Sequence, residues 1–127
     1  MSLTLIYKLT PLVVCQLTSA PLNIPPATSF WCLMCTASEI TLVCEASATP
    51  AVVDKISTDW VGFMVQGPLD FSLTGIMAKL SACLADAGVS LFALSTYDTD
   101  WILVKATTAS AAAHAWRTAG YSVEGEI

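Results

Sequence analysis

Leu73-Thr74-Gly75-Ile76-Met77-Ala78-Lys79-Leu80-Ser81-Ala82-Cys83-Leu84-Ala85-Asp86-Ala87-Gly88 decides the fold of this chain. Leu73, Ile76, Met77, Leu80, Cys83, Leu84 and Ala87 recur in the i, i+3, i+4, i+7 pattern of an amphipathic helix. Asp70 or Ser72 can cap its start, and Gly88 can supply the left-handed residue that ends it. Upstream, Trp60 to Gln66 is a short apolar run rich in β-formers and bounded by Gly67-Pro68, so it reads as a strand. Downstream, Val89 to Ser95 and Trp101 to Lys105 read as two strands joined by the polar turn Thr96-Tyr97-Asp98-Thr99-Asp100. Ala109, Ala112, Ala113 and Trp116 mark a second helix closed by Gly120, and Tyr121 to Glu124 makes a last strand. The order β-α-β-β-α-β is that of the ferredoxin-like unit, in which two helices cover one face of an antiparallel sheet.

The first half reads as a degenerate copy. Thr36-Ala37-Ser38-Glu39-Ile40-Thr41-Leu42-Val43-Cys44 can be laid on the Thr96 to Lys105 stretch with one residue of slippage. Tyr7 to Leu17 supplies a first strand, bent at Pro11. Pro21, Pro25 and Pro26 forbid the first helix, and a short helix around Pro50 to Ile56 is expected in place of the second. The expected architecture is therefore α+β: two ferredoxin-like βαββαβ modules in tandem, residues 1–58 degenerate and 59–127 intact, with antiparallel sheets and helices on one face.

A chain of 127 residues is long enough to bury a real core. With 55% hydrophobic and 12% charged residues, few charges remain to keep its surface monomeric, so a homodimer is expected. The net charge of -5 and the scattered Lys8, Lys55, Lys79, Lys105 and Arg117 argue against nucleic acid as a partner. Leu9 to Ser38 carries no charge, but Pro11, Gln16, Pro21, Asn23, Pro25 and Pro26 break it well short of the roughly 18 to 20 apolar residues that span a bilayer. No membrane helix is expected, and Lys8 and Pro11 interrupt any apolar signal region. Five cysteines, an odd number set in apolar segments, fit reduced thiols in a cytoplasmic protein. Cys32 and Cys35 fall on a strand, where positions three apart face opposite ways, so they do not form a metal or redox pair.

No catalytic centre is legible. His114 is the only histidine and has no nucleophile or acid presented to it. Asp98 and Asp100 read as a solvated turn rather than a metal site, and neither metal nor cofactor is expected. The loop from Gln66 to Gly75 carries more information, because it leads from a strand into a helix N-terminus, where free amides and the helix dipole hold a carboxylate. Gly75 in the first helical turn costs about 1 kcal/mol relative to alanine. Close approach of a backbone or ligand, and packing on the sheet, are equal candidate reasons for it.

Gly75-Ile76-Met77-Ala78-Lys79-Leu80, Leu84-Ala85-Asp86-Ala87-Gly88-Val89-Ser90 and Leu94-Ser95-Thr96-Tyr97-Asp98-Thr99-Asp100-Trp101-Ile102-Leu103-Val104 resemble the ACT domain family, small βαββαβ modules that bind free amino acids. The resemblance is closest to the branch of the CASTOR arginine sensors and their short bacterial relatives, over Val61 to Lys105. Ile24-Pro25, Thr36, Glu39 and Val43-Cys44 resemble that branch's N-terminal module, although Cys35 stands where relatives often carry an arginine. The resemblance implies a non-catalytic regulatory protein with a free amino acid between modules or subunits, passing its occupancy to a protein partner. It places one end of the ligand on the backbone of Asp70, Phe71, Ser72, Leu73 and Thr74, and the other at Thr96, Tyr97 and Asp100. Asp100 would pair with a basic side chain. The alternative is a structural oligomerisation module with a vestigial ligand site, and a thiol enzyme is a third.

Overall fold

Val61, Phe63 and Val65 alternate with Gly62 and Met64, and Ile102 and Val104 flank Leu103. A period of two sets each group on one side of a strand. All five lie in one core with Leu80, Leu84, Ala109, Ala112, Ala113 and Trp116. The computed structural model describes residues 3–26, 28–66 and 75–125. Its elements are β1 (Thr4–Leu17), β2 (Trp31–Cys35), β3 (Ile40–Glu45), β4 (Lys55–Val65), α1 (Ile76–Asp86), β5 (Phe92–Ser95), β6 (Asp100–Lys105), α2 (Ala109–Thr118) and β7 (Ser122–Glu124). Single 3-10 turns occupy Ala46–Ala48 and Ala106–Thr108. The fold is α+β, and the chain divides into one unit of Met1–Leu9 with Val61–Ile127 and another of Thr10–Trp60. The segments expected from sequence, 1–58 and 59–127, meet close to the Trp60/Val61 junction. The observed grouping adds the first nine residues to the C-terminal unit, whose core is filled by fully buried Leu5.

In the larger unit the strand order is β5-β6-β4-β1-β7. β5 and β6 form an antiparallel hairpin from Phe92↔Leu103 to Ser95↔Asp100. The Gln66 amide donates to the Thr4 carbonyl at 2.8 Å, so the end of β4 lies beside the start of β1 and the two run antiparallel. β7 then pairs with β1 in parallel, Thr4↔Ser122 to Ile6↔Glu124. In a plain ferredoxin-like sheet the last strand would lie against the first of its own module. Here the start of the chain takes that place, and Tyr7 packs its ring 5.1 Å from that of Phe63. Both helices cover the side that carries Phe63: Trp116 of α2 lies edge-on to its ring at 4.9 Å and donates its indole N–H to the Leu80 carbonyl of α1 at 3.0 Å. Gly88, at φ 71°, ends α1 as its sequence position predicts.

The smaller unit has the order β2-β3-β1-β4. β3 pairs antiparallel with β1 and with β2, and Val13, Cys15, Leu17, Leu42 and Cys44 form its core beneath Trp31, Ile40 and Val53. This is the strand order of a ferredoxin-like sheet whose described residues contain no α-helix. Pro21, Pro25 and Pro26 account for the first absence. The short helix expected around Pro50 to Ile56 is not formed: β4 begins at Lys55, and the Asp54 amide donates to the Gln16 carbonyl at 2.8 Å. Val52, Val53, Ile56 and Thr58 favour the strand. The internal alignment is corrected as well, because β3 and its following 3-10 turn match β6 and its turn at a constant offset of 60 residues, without slippage.

Just before β2, Thr28 and Ser29 are fastened by one carboxylate. Glu45 Oε1 accepts from Thr28 Oγ1 at 3.1 Å, from Ser29 Oγ at 2.9 Å and from the Ser29 amide. The Ser29 amide first, then the Ser29 hydroxyl, hold the Glu45 carboxyl below its ordinary value of 4.5. A depressed acid stabilises the fold above its unfolded pKa, and that stability is lost as pH falls towards the folded pKa. Glu45→Gln is therefore expected to be less stable than wild type near neutrality, with the gap closing as urea titrations move from about pH 6 to about pH 3. A gap independent of pH would show that the ionised form contributes nothing.

Asp59, within β4, has φ 65°, a left-handed conformation that an L side chain adopts at a cost. Its carboxylate accepts from the Thr58 hydroxyl at 3.0 Å. Asp59→Gly is expected to retain or raise stability, whereas Asp59→Val should lower it by about 1–3 kcal/mol, measured by urea unfolding.

Candidate functional site

Four hydroxyl and carboxyl side chains at the end of the β5/β6 hairpin are committed to fixed partners. The Thr96 amide donates to the Thr99 carbonyl at 2.8 Å, the Thr96 hydroxyl donates to the same oxygen at 3.2 Å, and the Thr99 amide donates back to that hydroxyl at 3.2 Å. A threonine that bonds its own turn in this way rigidifies it. The Thr99 hydroxyl donates to the Val65 carbonyl at the end of β4. Ser95 Oγ donates to Asp100 Oδ1 at 2.7 Å across the last pair of the hairpin.

Alternation fixes where Asp100 points. Ile102 and Val104 lie two and four residues on, in the core that the helices cover, so Asp100 stands on that same side at the rim of the sheet. It is half-buried, and Tyr97 at the tip is 80% exposed. Thr96 and Asp100 thus share one turn, pinned beside the strand end from which the chain proceeds to α1. Ser95 and Thr99 carry the fixing contacts, and the sequence reading gave neither a role. Their signal lay in the run Ser95-Thr96-Tyr97-Asp98-Thr99-Asp100 itself: four hydroxyls interleaved with two acids.

At the other end of that connection, Gly75 precedes α1 with φ 78° and makes no side-chain cap hydrogen bond. The first helical bond runs from the Lys79 amide to the Gly75 carbonyl at 2.9 Å. The amides of Ile76, Met77 and Ala78 therefore have no helical carbonyl to meet, and the helix presents its positive end there. A Cβ at Gly75 would meet nothing within 4 Å. Its positive φ is by itself reason for a glycine, and no crowding among the described residues requires one. Asp70, Phe71, Ser72, Leu73 and Thr74 lie outside the described residues, as do the capping roles expected of Asp70 and Ser72.

The smaller unit repeats the hairpin turn with different chemistry. Thr36 makes the same three bonds with Glu39, at 2.9, 3.2 and 3.1 Å. At the offset of 60, however, Ala37 stands for Tyr97 and Ile40 for Asp100. His114 is exposed on α2 and lines an open groove of about 420 Å³ between the helices with Cys83 and Asp86. Among the described residues no three His, Cys, Asp or Glu side chains converge as metal ligands. Burial pushes the Cys15, Cys32 and Cys44 thiols up, Cys44 to about 11 with Cys15 and Glu45 adding to the effect. Such thiols are poor nucleophiles at neutral pH. No helix among the described residues is long and apolar enough to cross a membrane.

The larger unit is an α+β fold with two helices on one side of its sheet. Residues 55–117 match the ACT domain family. The structure of protein Atu0741 from Agobacterium tumefaciens is similar over 100% of this chain and 96% of its own, at 28% identity and a TM-score of 0.85. The regulatory subunit of aspartate kinase from Thermus thermophilus, in its ligand-free form, aligns over 91% of this chain and 96% of its own at 11% identity and a TM-score of 0.63. Aspartate kinase from Clostridium acetobutylicum aligns over 89% of this chain and 33% of its own at 12% identity and a TM-score of 0.61. These last two likenesses are likenesses of fold. No curated protein matches the chain.

Thr99→Val keeps the shape of the side chain and removes the donor to the Val65 carbonyl. It is expected to lower stability by about 1 kcal/mol in urea unfolding, with Thr99→Ser close to wild type. Equal stability of all three proteins would show that this bond does not hold the turn.

Proposed function

We infer that this chain is a non-catalytic regulatory protein of the ACT type that binds a free amino acid with a basic side chain. The observation that carries the reading is the Thr99 hydroxyl on the Val65 carbonyl. It holds the turn that contains Thr96, Tyr97 and Asp100 beside the strand end that leads to α1. The positive end of α1 suits the ligand carboxylate, and Asp100 suits a guanidinium or ammonium group through a charge-assisted hydrogen bond. The backbone from Asp70 to Thr74 would line the carboxylate end. The ACT match over residues 55–117 supports the class, and the Asp100 carboxylate, held by the Ser95 hydroxyl at the rim, supports the choice of a cation.

Within this reading the smaller unit is a degenerate second ACT module in tandem, as in the CASTOR-like branch. Ala37 and Ile40 offer no cation partner there, so one ligand binds per chain. The protein is cytoplasmic and homodimeric, and an unidentified protein partner reads its occupancy. A second reading, an oligomerisation module with a vestigial site, draws on the apolar exposure of the smaller unit, where Leu22 is 96% and Met34 61% exposed.

A ligand at about 100 times its Kd adds about 2.7 kcal/mol to a protein that binds it only when folded. A thermal-shift titration with the free amino acids is expected to show a rise with arginine or lysine, lost in Asp100→Ala while the unliganded Tm stays near wild type. No response to any amino acid would favour the oligomerisation reading, and an undiminished response in Asp100→Ala would remove Asp100 from the site.

A further inference from the structure

Among the hydroxyls at the rim of the larger unit, three have settled tasks in the fold or lie at the tip. Thr96 closes its own turn, Thr99 reaches back to β4, and the Tyr97 side chain is 80% exposed. Ser95 differs. Its oxygen is directed at Asp100 Oδ1, 2.7 Å away, from the opposite strand of the last hairpin pair. The contact links β5 to β6 at the last hairpin pair, where the backbone pairing of Ser95 with Asp100 already sets the register. Its effect falls on one torsion, the orientation of the Asp100 carboxylate.

We propose that Ser95 is the positioning residue that sets selectivity for a cationic ligand, by fixing the carboxylate of Asp100 so that its remaining lone pairs face the rim of the sheet. This rests on the reading of Asp100 as the ligand's partner. An ionised carboxylate accepts at about four lone-pair sites, and one serine hydroxyl fills a single one of them. The other Oδ1 lone pair and both on Oδ2 remain for a guanidinium or ammonium donor. A carboxylate free to rotate would have to be ordered by the ligand, and that ordering weakens binding. It could also turn to nearby amides of its own turn, as aspartates in turns do. The hydroxyl thus acts on selectivity rather than on gross affinity: it favours ligands that need the acid and leaves neutral ones unaffected.

The test compares Ser95→Ala, Ser95→Thr and wild type in isothermal titrations with L-arginine and with L-citrulline, its uncharged near-isostere. The proposal expects Ser95→Ala to bind arginine about tenfold more weakly, a change of about 1.4 kcal/mol, with citrulline binding and the unliganded Tm unchanged. Ser95→Thr, which keeps the hydroxyl, should restore the preference. Equal weakening for both ligands would overturn it, because a general loosening of the hairpin cannot discriminate between them. So would an unaltered arginine-to-citrulline ratio in Ser95→Ala. If wild type binds neither these nor lysine, the reading of Asp100 fails first and takes the role of Ser95 with it, an outcome distinct from binding that Ser95→Ala leaves untouched.

Discussion

The indole of Trp116 is the point through which the larger unit is held together. Fully buried, it lies edge-on to Phe63 of the sheet and donates its N–H to the carbonyl of Leu80. A buried indole N–H without a partner would cost about 1–3 kcal/mol, so α2 can settle only where the middle of α1 offers it an oxygen. A carbonyl has two lone pairs, and the one that the helix ladder leaves over serves here. The small residues Ala109, Ala112 and Ala113 on the same face let α2 approach closely enough for this. One side chain therefore fixes the spacing of both helices and the sheet beneath them, and with it the place where α1 begins.

Much of this architecture was legible in the residues. The α1 pattern, the glycine that ends it and the alternation along β4 and β6 depend on neighbours in sequence, and they are formed as their periods dictate. What was hidden depends on partners far away along the chain. Nothing local in Thr4 to Leu9 says that this strand will lie between β4 and β7. That outcome follows from Leu5 filling the core beneath the helices and from pairing with residues about 60 and 120 positions distant. The segment from Pro50 to Asp54 shows the same limit. Its composition tolerates a helix turn, yet the Asp54 amide bonds to Gln16, and pairing of that kind cannot be seen in a short window.

The rim of the sheet shows the limit from the other side. Thr96, Tyr97 and Asp100 were singled out through likeness to a family, and Thr96 and Asp100 do share one rigid turn. The residues that make it rigid were passed over, because a serine or threonine beside an acid looks the same in sequence whether it faces solvent or a carbonyl. Gly75 illustrates the converse. A glycine in a first helical turn suggests crowding when read in sequence, whereas its positive φ is a property of the backbone that no neighbouring residue type spells out.

The two hairpins, related by an offset of 60 residues, share a scaffold and differ in the side chains they carry. Both turns close through a threonine with the same bonds, so turn geometry alone does not distinguish the two copies. The difference lies in where the acid is used. In the smaller unit the described residues before β2 form no helix, and Glu45 is occupied in tethering Thr28 and Ser29. In the larger unit α1 packs through its own apolar face, needing no such tether, and Lys105 stands at the corresponding position. The helix thus frees the rim from a structural duty. Asp100, steadied by a hydroxyl of its own hairpin, stands as an acid at the rim, whereas the smaller unit carries the apolar Ile40 at that position.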